Sequence, residues 1–264
     1  MTPALALEQI TCTFAGASSY IAVRDVSIEV SPGEFVAVVG PTGCGKSTLL
    51  NVAAGLLAPS AGTVRVLGEQ LRGLNRHAGY MFQAECLMPW RNATENVAAG
   101  LQFRGLERVE SIRRAQEWLA RVGLEDFGTR YPHQLSGGMR KRVALAQTLI
   151  LDPSIILMDE PFSALDVQTR QLMENELLEL WTRNRKSVLF ITHDLEEAIS
   201  LADRVVVFSA GPAAHPIGQF AIDLPRPRDV AEVRLTKRFL ELYQRIWELL
   251  KGEVLKGHAQ QKLI

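Results

Sequence analysis

The stretch Gly-Pro-Thr-Gly-Cys-Gly-Lys-Ser-Thr at residues 40–48 decides the fold, because it spells out a complete phosphate-binding loop. It fits the pattern G-x-x-x-x-G-K-[ST], with Gly40, Gly45, Lys46 and Ser47 at the fixed places. Glycines let the backbone curl so that successive N–H groups point at phosphate oxygens, and the following helix presents its positive end to the same anion. The pattern predicts that Lys46 reaches the β- and γ-phosphates of a nucleotide and that Ser47 ligates Mg²⁺.

The residues around this loop predict the strand–loop–helix arrangement that the motif requires. An apolar run at 35–39 follows the turn signal Ser-Pro-Gly at 31–33, and apolar residues recur at helical spacing over 46–57. The alternative is a glycine-rich turn that binds nothing, but it does not account for the strand, the helix and the Lys-Ser pair together. Within the loop, we interpret Cys44 as a small filler rather than as a functional thiol.

Length and composition limit the class of protein. The chain has 264 residues, of which 47% are hydrophobic, enough for one large domain with a sizeable core. The 29 basic and 29 acidic residues balance, so no nucleic-acid partner is predicted. Three cysteines without a CxxC pair favour free thiols in a reducing compartment. No apolar run approaches the roughly 20 residues of a membrane span, and the N-terminus is a poor signal peptide, so we expect a cytoplasmic protein.

Hydrophobic patterning divides the chain into regions. From about 86 to 151 the pattern becomes helical, as at 109–122, which predicts a helical subdomain inserted between strands. The other predicted strands lie at 6–13 and 26–30, after a turn within 59–68, and at 155–158, 188–192 and 205–208. The last three are apolar on both faces, as in a buried parallel sheet. Apolar residues of the tail at 235–251 recur at spacings of 4 and 3, which predicts an amphipathic helix. Docking of this helix on its own domain is favoured, with a dimer contact left open.

Polar residues follow two of the predicted strands. Asp159 and Glu160 come directly after the strand at 155–158, and at this distance from a phosphate loop Asp159 is predicted to bind Mg²⁺. Glu160 is placed to polarise a water for attack on the γ-phosphate. His193 follows the strand at 188–192, where it could contact the γ-phosphate. In isolation, each signal would also fit a solvated loop.

A second anion-binding element is predicted at Ser136-Gly137-Gly138, which precedes a helix carrying three successive basic residues at 140–142. A chain seldom needs two phosphate cradles for one nucleotide. We therefore expect this segment to reach the nucleotide held by a partner chain.

In their order along the chain, these motifs resemble the complete set of an ABC-transporter nucleotide-binding subunit. The motifs that carry the resemblance are 40–48, Gln83, 135–139, 159–160, 163–166 and His193. The resemblance implies an α/β fold: a P-loop NTPase core sheet with an antiparallel β subdomain and an inserted helical subdomain. It further implies an ATP-binding domain over 1–230, with the helical subdomain at about 86–151. A C-terminal amphipathic helix and tail then occupy 231–264.

The resemblance also implies roles for single residues, with ATP and Mg²⁺ as ligands. Glu160 would be the general base and His193 would hold the γ-phosphate, with Lys46 and Gln83 completing the catalytic set. Gln83 would sense both Mg²⁺ and the membrane partner. The residues implied to contact ATP are Phe14, Gly40, Pro41, Thr42, Gly43, Cys44, Gly45, Lys46, Ser47, Thr48, Ser136, Gly137, Gly138 and Asp166. The implied metal ligands are Ser47, Gln83 and Asp159. Phe14 resembles the aromatic residue that stacks on adenine, and Tyr20 is the weaker candidate.

Three further pieces resemble the nitrate/sulfonate/taurine importer branch of the family. They are Met139 in place of the usual Gln, the segment 87–90 after Gln83, and Leu-Pro-Arg-Pro-Arg-Asp at 224–229. This branch implies an ATPase that powers the import of a small anionic nutrient. It would act as a head-to-tail dimer on a permease at the cytoplasmic face of the inner membrane, and indirectly with a substrate-binding protein. Gln147 departs from the arginine common in the signature helix, and 210–218 departs from the usual Gly-rich turn.

Other functions remain open at the level of sequence. An importer of another small solute, such as a pyrimidine or thiamine precursor, fits the same motifs. A soluble ABC ATPase acting in DNA repair or on ribosomes would usually carry two cassettes or long coiled-coil insertions, together with a basic surface. A small-molecule kinase would share the phosphate loop but would not need the Ser-Gly-Gly segment.

Overall fold

The computed structural model describes residues 2–15 and 19–261, with side chains described as far as Gly257. Its strands are β1 (Leu5–Phe14), β2 (Tyr20–Val30), β3 (Phe35–Val39), β4 (Ala61–Val66), β5 (Glu69–Gln70), β6 (Ala78–Met81), β7 (Ile155–Asp159), β8 (Ser187–Thr192), β9 (Arg204–Phe208) and β10 (Pro216–Ala221). Its α-helices are α1 (Lys46–Ala53), α2 (Ala93–Phe103), α3 (Arg108–Arg121), α4 (Gly137–Leu149), α5 (Val167–Asn184), α6 (Leu195–Leu201), α7 (Val230–Val233) and α8 (Lys237–Gln261). Within these described residues, none of the helices combines the length and apolar character needed to cross a membrane.

The larger sheet places the predicted site segments side by side. Its strand order is β10-β9-β3-β8-β7-β6, parallel from β9 to β6 and antiparallel only at β10. Every residue of β3, β7 and β8 is buried, as expected for the interior of a parallel sheet. The segments that follow these three strands therefore meet at one edge of the sheet, where ligands bind in such folds.

Both faces of this sheet are covered by apolar side chains. Alternate residues of β3 point to opposite faces. Phe35 and Val39 join the cluster formed with α5, α6 and α8, whereas Val36 and Val38 join the cluster formed with α1 and the second sheet. Full burial of side chains of this size contributes about 1.5–3 kcal/mol each. The sheet edge that carries the site is thereby held from both sides.

The remaining strands and helices form two smaller units. The second sheet is antiparallel, with order β2-β1-β4-β5. Helices α2, α3 and α4 enclose an apolar cluster of their own, separate from the two clusters on the main sheet. The boundaries of the helical subdomain at about 86 and 151 stay a prediction.

Helix α1 ends earlier than the sequence pattern predicted. The pattern extended the helix to residue 57, but the structure ends it at Ala53. Gly55 has φ 71° in the left-handed region, and a Cβ atom there would lie 1.9 Å from the carbonyl oxygen of Gly73. Only glycine fits this close approach, so the chain turns here although the apolar spacing continues.

The tail forms a long helix that lies on its own domain. Helix α8 extends to Gln261, beyond the predicted end at 251, while residues 262–264 lie outside the described residues. Phe239, Leu242 and Ile246 are buried in the cluster on the main sheet. Leu235, which the pattern placed on the same stripe, precedes the helix and is 83% exposed.

The segment 224–229 anchors this tail to the domain. Arg226 pairs with Asp203 at 2.8 Å, and its guanidinium lies 4.2 Å from the ring centre of Trp181. Arg228 is buried and donates to carbonyl oxygens at the end of α6 and in the preceding segment. The shortest of these bonds go to Ala202 at 2.7 Å and to Leu224 at 3.0 Å. A guanidinium suits this place because it carries five donors in a fixed plane.

Replacing Arg228 with lysine is expected to destabilise the protein. The three donors of a lysine ammonium cannot reach the same spread of carbonyl oxygens, so buried acceptors lose their partners. We expect the free energy of unfolding to fall by about 2–4 kcal/mol in urea titrations followed by circular dichroism. Arg76→Lys, at an exposed position, is the matched control. A difference below about 0.5 kcal/mol between the two variants would contradict the anchoring role.

Candidate active site

The phosphate loop at 40–48 joins β3 to α1 at the carboxyl edge of the main sheet. Gly45 has φ 95°, and a Cβ atom on it would lie 2.8 Å from a methyl carbon of Val23. This left-handed residue immediately precedes Lys46, the first residue of α1. The free N–H groups of the first helical turn consequently open toward the loop, which is the arrangement that binds phosphate.

Lys46 closes the loop from inside. Its side chain is only 5% exposed, and its ammonium group donates to the carbonyl oxygens of Gly40 at 2.8 Å and Pro41 at 3.0 Å. Both partners are neutral, so the positive charge has no anion in these two contacts. A cation held in this way beside a helix N-terminus fits a phosphate group.

Cys44 lies within the loop but is only 1% exposed. Burial raises the pKa of its thiol, and the nearby Lys46 opposes this shift. A buried thiol with a raised pKa is a poor nucleophile. The structure therefore supports the interpretation of Cys44 as a filler.

A hydroxyl and a carboxylate meet beside the loop. Ser47 donates to Oδ1 of Asp159 at 2.9 Å, although the two residues belong to α1 and β7. Burial raises the pKa of Asp159, and the Ser47 hydrogen bond opposes that shift. A divalent cation would stabilise the ionised carboxylate, and Mg²⁺ is commonly bound by few protein oxygens together with substrate phosphates. The pair therefore fits a magnesium site.

Gln83 lies at the same sheet edge as Asp159. In the β6–β7 ladder Met81 pairs with Met158, so Gln83 and Asp159 follow paired residues of adjacent strands. The Gln83 side chain is exposed, while its backbone carbonyl accepts a hydrogen bond from Lys141. Lys141 is 1% exposed, and burial lowers the pKa of its ammonium group. The sequence did not reveal this lysine as a support of Gln83, because it showed only three successive basic residues at 140–142 after the predicted anion-binding element.

Glu160 and His193 form a direct pair. Glu160 Oε2 lies 2.9 Å from His193 Nδ1, and the histidine side chain is 49% exposed. Glu160 has φ 45°, a left-handed conformation that costs a residue with a side chain about 1–3 kcal/mol. Its N–H group donates to the carbonyl oxygen of Ile191 at 2.9 Å, which ties this turn to β8. The strained turn holds the carboxylate against the imidazole, and such a pair can accept a proton from water.

The Ser136 segment begins α4 and does not join these groups within the chain. Ser136 is exposed and caps α4, with its hydroxyl oxygen accepting from the Met139 N–H at 3.2 Å. A Cβ atom on Gly138 would lie 2.7 Å from a methyl carbon of Thr169.

A cavity of about 700 Å³ lies beside the phosphate loop. It is lined by the start of the loop, the His193 segment and α8. Its lining residues are Gly40, Pro41, Thr42, His193, Asp194, Leu195, Glu196, Tyr243, Trp247, Leu250, Val254 and Gly257.

Comparison with known proteins identifies the family of this chain. A sequence profile described as ABC transporter matches residues 23–163, more than half of the chain. The chain belongs to the ABC transporter family. The predicted enzyme class, an ATPase coupled to transport, is thereby confirmed, and ATP is the nucleotide that this ABC ATPase binds.

Two relatives show how much of the ABC subunit is shared. An uncharacterized ABC transporter ATP-binding protein of Methanocaldococcus jannaschii is 46% identical over 255 residues, which is 96% of this chain and 93% of that protein. The taurine import ATP-binding protein of Escherichia coli K12 is 44% identical over 204 residues, covering 77% of this chain and 80% of that protein. The similarity extends well beyond the phosphate loop.

Solved structures confirm the predicted fold class. A dimeric ATP-binding cassette in a post-hydrolysis state, bound to ADP and Pi, superposes with a TM-score of 0.74 at 31% identity. The match covers 84% of this chain and all of that one. The α/β fold with a P-loop NTPase core sheet is therefore correct.

Two basic residues near the start of α4 pair with groups of the same chain. Arg140 lies 3.7 Å from Glu85 and donates to the Leu135 carbonyl oxygen at 2.9 Å. Arg142 pairs with Glu176 at 2.8 Å. These two cations are therefore paired within the chain, and the contact of the Ser136 segment with an anion stays a prediction.

The aromatic candidates for the adenine lie at the end of β1 and the start of β2. Phe14 and Tyr20 are opposite each other in the ladder, and both are exposed. A Cβ atom on Gly211 would lie 3.5 Å from the Tyr20 hydroxyl and 3.6 Å from Cα of Cys44. The less favoured candidate, Tyr20, is thus close to the phosphate loop, while the role of Phe14 stays a prediction.

Asp166 caps α5 in this structure. Its carboxylate accepts from the Thr169 N–H at 3.0 Å, and this bond lowers the pKa of Asp166. The residue is exposed, and its contact with ATP stays a prediction.

Two buried carboxyl groups lie near Asp194 and were not found from the sequence. Glu174 on α5 pairs with Arg234 at 2.9 Å, and Glu197 lies on α6. Burial raises the pKa of Glu174 to about 7, with Arg234 opposing the shift. Burial likewise raises the pKa of Glu197 to about 8, and a hydrogen bond with Thr192 opposes it. Burial thus favours the protonated form of both carboxyl groups in the folded protein.

These two groups make stability depend on pH. Unfolded, both ionise near the ordinary value of 4.5, whereas folded they keep their protons to about 7 and about 8. Their stabilising contribution is full below pH 4.5 and is lost as the pH rises through these folded values. We expect the free energy of unfolding to fall between about pH 5 and 9, and to fall less in Glu197→Gln, which cannot ionise there.

Urea titrations at several pH values measure this dependence. Glu125→Gln, at an exposed position, is the control and should keep the slope of the wild type. Equal slopes for wild type and Glu197→Gln would show that Glu197 is already ionised in the folded protein.

Proposed function

We propose that this chain is the ATP-hydrolysing subunit of an importer for a small anionic nutrient such as sulfonate, nitrate or taurine. Its 44% identity to a taurine import ATP-binding protein supports the proposal, as do the branch-typical residues Met139, 87–90 and 224–229. The subunit would lie at the cytoplasmic face of the cell inner membrane as a peripheral protein.

The observation that carries the proposal is the meeting of three groups at one sheet edge. The phosphate loop with Ser47 follows β3, Asp159 ends β7 and Glu160 follows it, and His193 follows β8. These three strands are adjacent in the sheet. Lys46 would bind the β- and γ-phosphates of ATP. Ser47, Asp159 and Gln83 would hold Mg²⁺, which neutralises the charge of the phosphates.

The Glu160–His193 pair would carry the proton transfer. Glu160 Oε2 contacts His193, so its Oε1 is the oxygen that we assign to the attacking water. Accepting a proton from that water makes it a stronger nucleophile. His193 would hold the carboxylate in place and contact the γ-phosphate as negative charge develops there.

A second copy of the chain would complete the site. The Ser136 segment lies on α4, outside the lining of the cavity beside its own phosphate loop. In a head-to-tail dimer it would donate N–H and hydroxyl hydrogen bonds to the ATP held by the other copy. The dimeric cassette to which this chain is similar supports this arrangement. Gln83 would then pass closure of the dimer to a permease, which works with a substrate-binding protein.

Recovery of the subunit from membranes tests the proposal. A tagged chain solubilised from its native membranes should bring down a permease with several membrane spans, and added substrate-loaded binding protein should raise the ATPase rate. The proposal fails if the chain is recovered only from the soluble fraction with ribosomes, nucleic acid or no partner.

Growth on single nutrients tests the substrate class. A deletion strain should lose growth on at least one of taurine, other sulfonates or nitrate as the only sulfur or nitrogen source. Growth that is unchanged on all of these, but lost when a pyrimidine or thiamine precursor must be taken up, would reassign the substrate.

A further inference from the structure

Arg170 connects two loops of the proposed site and has no part in the motifs. It lies on α5, one turn after the capping residue Asp166. Its Nη1 donates to Oδ2 of Asp194 at 3.0 Å, and its Nη2 donates to the Leu165 carbonyl oxygen at 3.2 Å. Its Nε is buried and lacks a partner among the described residues. The guanidinium therefore links the segment after β7 to the segment after β8.

The first of these loops carries Glu160. The Ser163 hydroxyl donates to the Glu160 carbonyl oxygen at 3.0 Å, and the Leu165 N–H donates to the Phe162 carbonyl oxygen at 3.1 Å. These bonds form a compact turn between Glu160 and α5. Because Nη2 of Arg170 holds the Leu165 carbonyl, it fixes the far end of this turn.

The second loop carries His193. Asp194 uses Oδ1 to cap α6, accepting from the N–H groups of Glu196 at 2.9 Å and Glu197 at 3.2 Å. Its own N–H donates to the Thr192 hydroxyl at 3.0 Å. Its Oδ2 is left for Arg170. Asp194, the residue next to His193, is thus held at both carboxylate oxygens. Helix α6 holds Oδ1 and Arg170 holds Oδ2.

We infer that Arg170 is a positioning residue for ATP hydrolysis, because it fixes the loop of Glu160 relative to the loop of His193. The inference rests on the proposed roles of these two residues. Their contact of 2.9 Å joins side chains from different strands, and Glu160 holds it from a strained backbone. A displacement of about 1 Å in such a site costs up to a hundredfold in rate. A neutral side chain at 170 would release both loops without touching ATP.

Steady-state kinetics of Arg170→Gln tests the inference. We expect kcat for ATP hydrolysis to fall about 10- to 100-fold. The Kd of a hydrolysis-resistant ATP analogue, measured by calorimetry, should change less than about threefold. Asp194→Asn keeps the cap acceptor and removes the charged partner, so its effect on kcat should be similar. The double variant should be no slower than the slower single variant, because both changes break one interaction. Arg183→Gln, an exposed arginine on the same helix, is the control.

Three results would overturn the inference. They are a kcat for Arg170→Gln within about twofold of the control, effects of Arg170→Gln and Asp194→Asn that multiply in the double variant, and a matching loss of ATP binding. If Arg170→Gln does not fold, Arg170→Lys carries the test and should show an intermediate kcat, since one ammonium cannot bridge both acceptors as a guanidinium does. Loss of folding in Arg170→Gln, Arg170→Lys and Asp194→Asn alike would overturn the inference and leave Arg170 a purely stabilising residue.

Failure of the inference is distinguishable from failure of the proposed function. Glu160→Gln in the wild-type background should abolish hydrolysis whatever the role of Arg170. If Glu160→Gln is inactive but Arg170→Gln is fully active, the inference alone is wrong. If Glu160→Gln is active, the proposed roles on which the inference rests are wrong.

Discussion

Glu160→Gln is expected to stop ATP hydrolysis while leaving ATP binding intact. In the wild type, Glu160 Oε2 lies 2.9 Å from His193 Nδ1. The glutamine amide keeps the size of the side chain and an oxygen for this contact, but it cannot accept a proton from water. General bases contribute about 10²- to 10⁴-fold to such rates, so the loss should reach that range. Phosphate release and calorimetry with ATP measure the two properties separately.

The same variant should accumulate a closed dimer with ATP. Without hydrolysis the site shared with the Ser136 segment of a second copy would not reopen, and light scattering after gel filtration would detect the dimer. Glu125→Gln is the control, because that carboxylate is exposed and lies outside the motifs. Turnover of Glu160→Gln within about twofold of this control would remove Glu160 from its role.

Lys46→Ala is expected to differ from Glu160→Gln by losing ATP binding as well as hydrolysis. Each charge-assisted hydrogen bond to phosphate contributes about 1.5–3 kcal/mol, so the affinity for ATP should fall about 10- to 100-fold per bond lost. The lysine also donates hydrogen bonds to the carbonyl oxygens of Gly40 and Pro41. Its removal frees the loop and weakens binding further.

Lys251→Ala is the matched control for this prediction. Lys251 is exposed on α8. Affinities for ATP are compared by calorimetry, and thermal unfolding verifies that both variants are folded. An unchanged affinity in Lys46→Ala would contradict the phosphate contact.

Much of the core sheet could be predicted because its strands are short and apolar on both faces. The expected strands near 155–158 and 188–192 correspond to β7 and β8, which are buried throughout. The edge strand β10 was not predicted, since Pro216–Ala221 is largely accessible and carries no apolar run. The end of α1 was misplaced because the turn at Gly55 is set by contact with Gly73, far along the chain.

The candidate site also contains residues that could be predicted from the sequence and residues that could not. The phosphate loop, Asp159, Glu160 and His193 could be placed at one edge because each directly follows a predictable strand. Lys141 and Arg170 could not, because their partners are a carbonyl of the Gln83 segment and groups in two separate loops. In a sequence, such residues are indistinguishable from the many surface cations of helices. Only the packing of α4 and α5 against the sheet assigns them.

The central claim is that each ATP lies between the phosphate loop of one copy and the Ser136 segment of the other. Mixing two variants, Lys46→Ala and Ser136→Arg, tests it most directly. Each should be inactive alone, one for lack of the lysine and one because the bulky side chain blocks the second cradle. A mixed dimer would contain one site with both changes and one intact site. The ATPase rate of the mixture is therefore predicted to lie well above the sum of the rates of the two variants measured alone. Activity no greater than that sum would contradict a site shared between two copies.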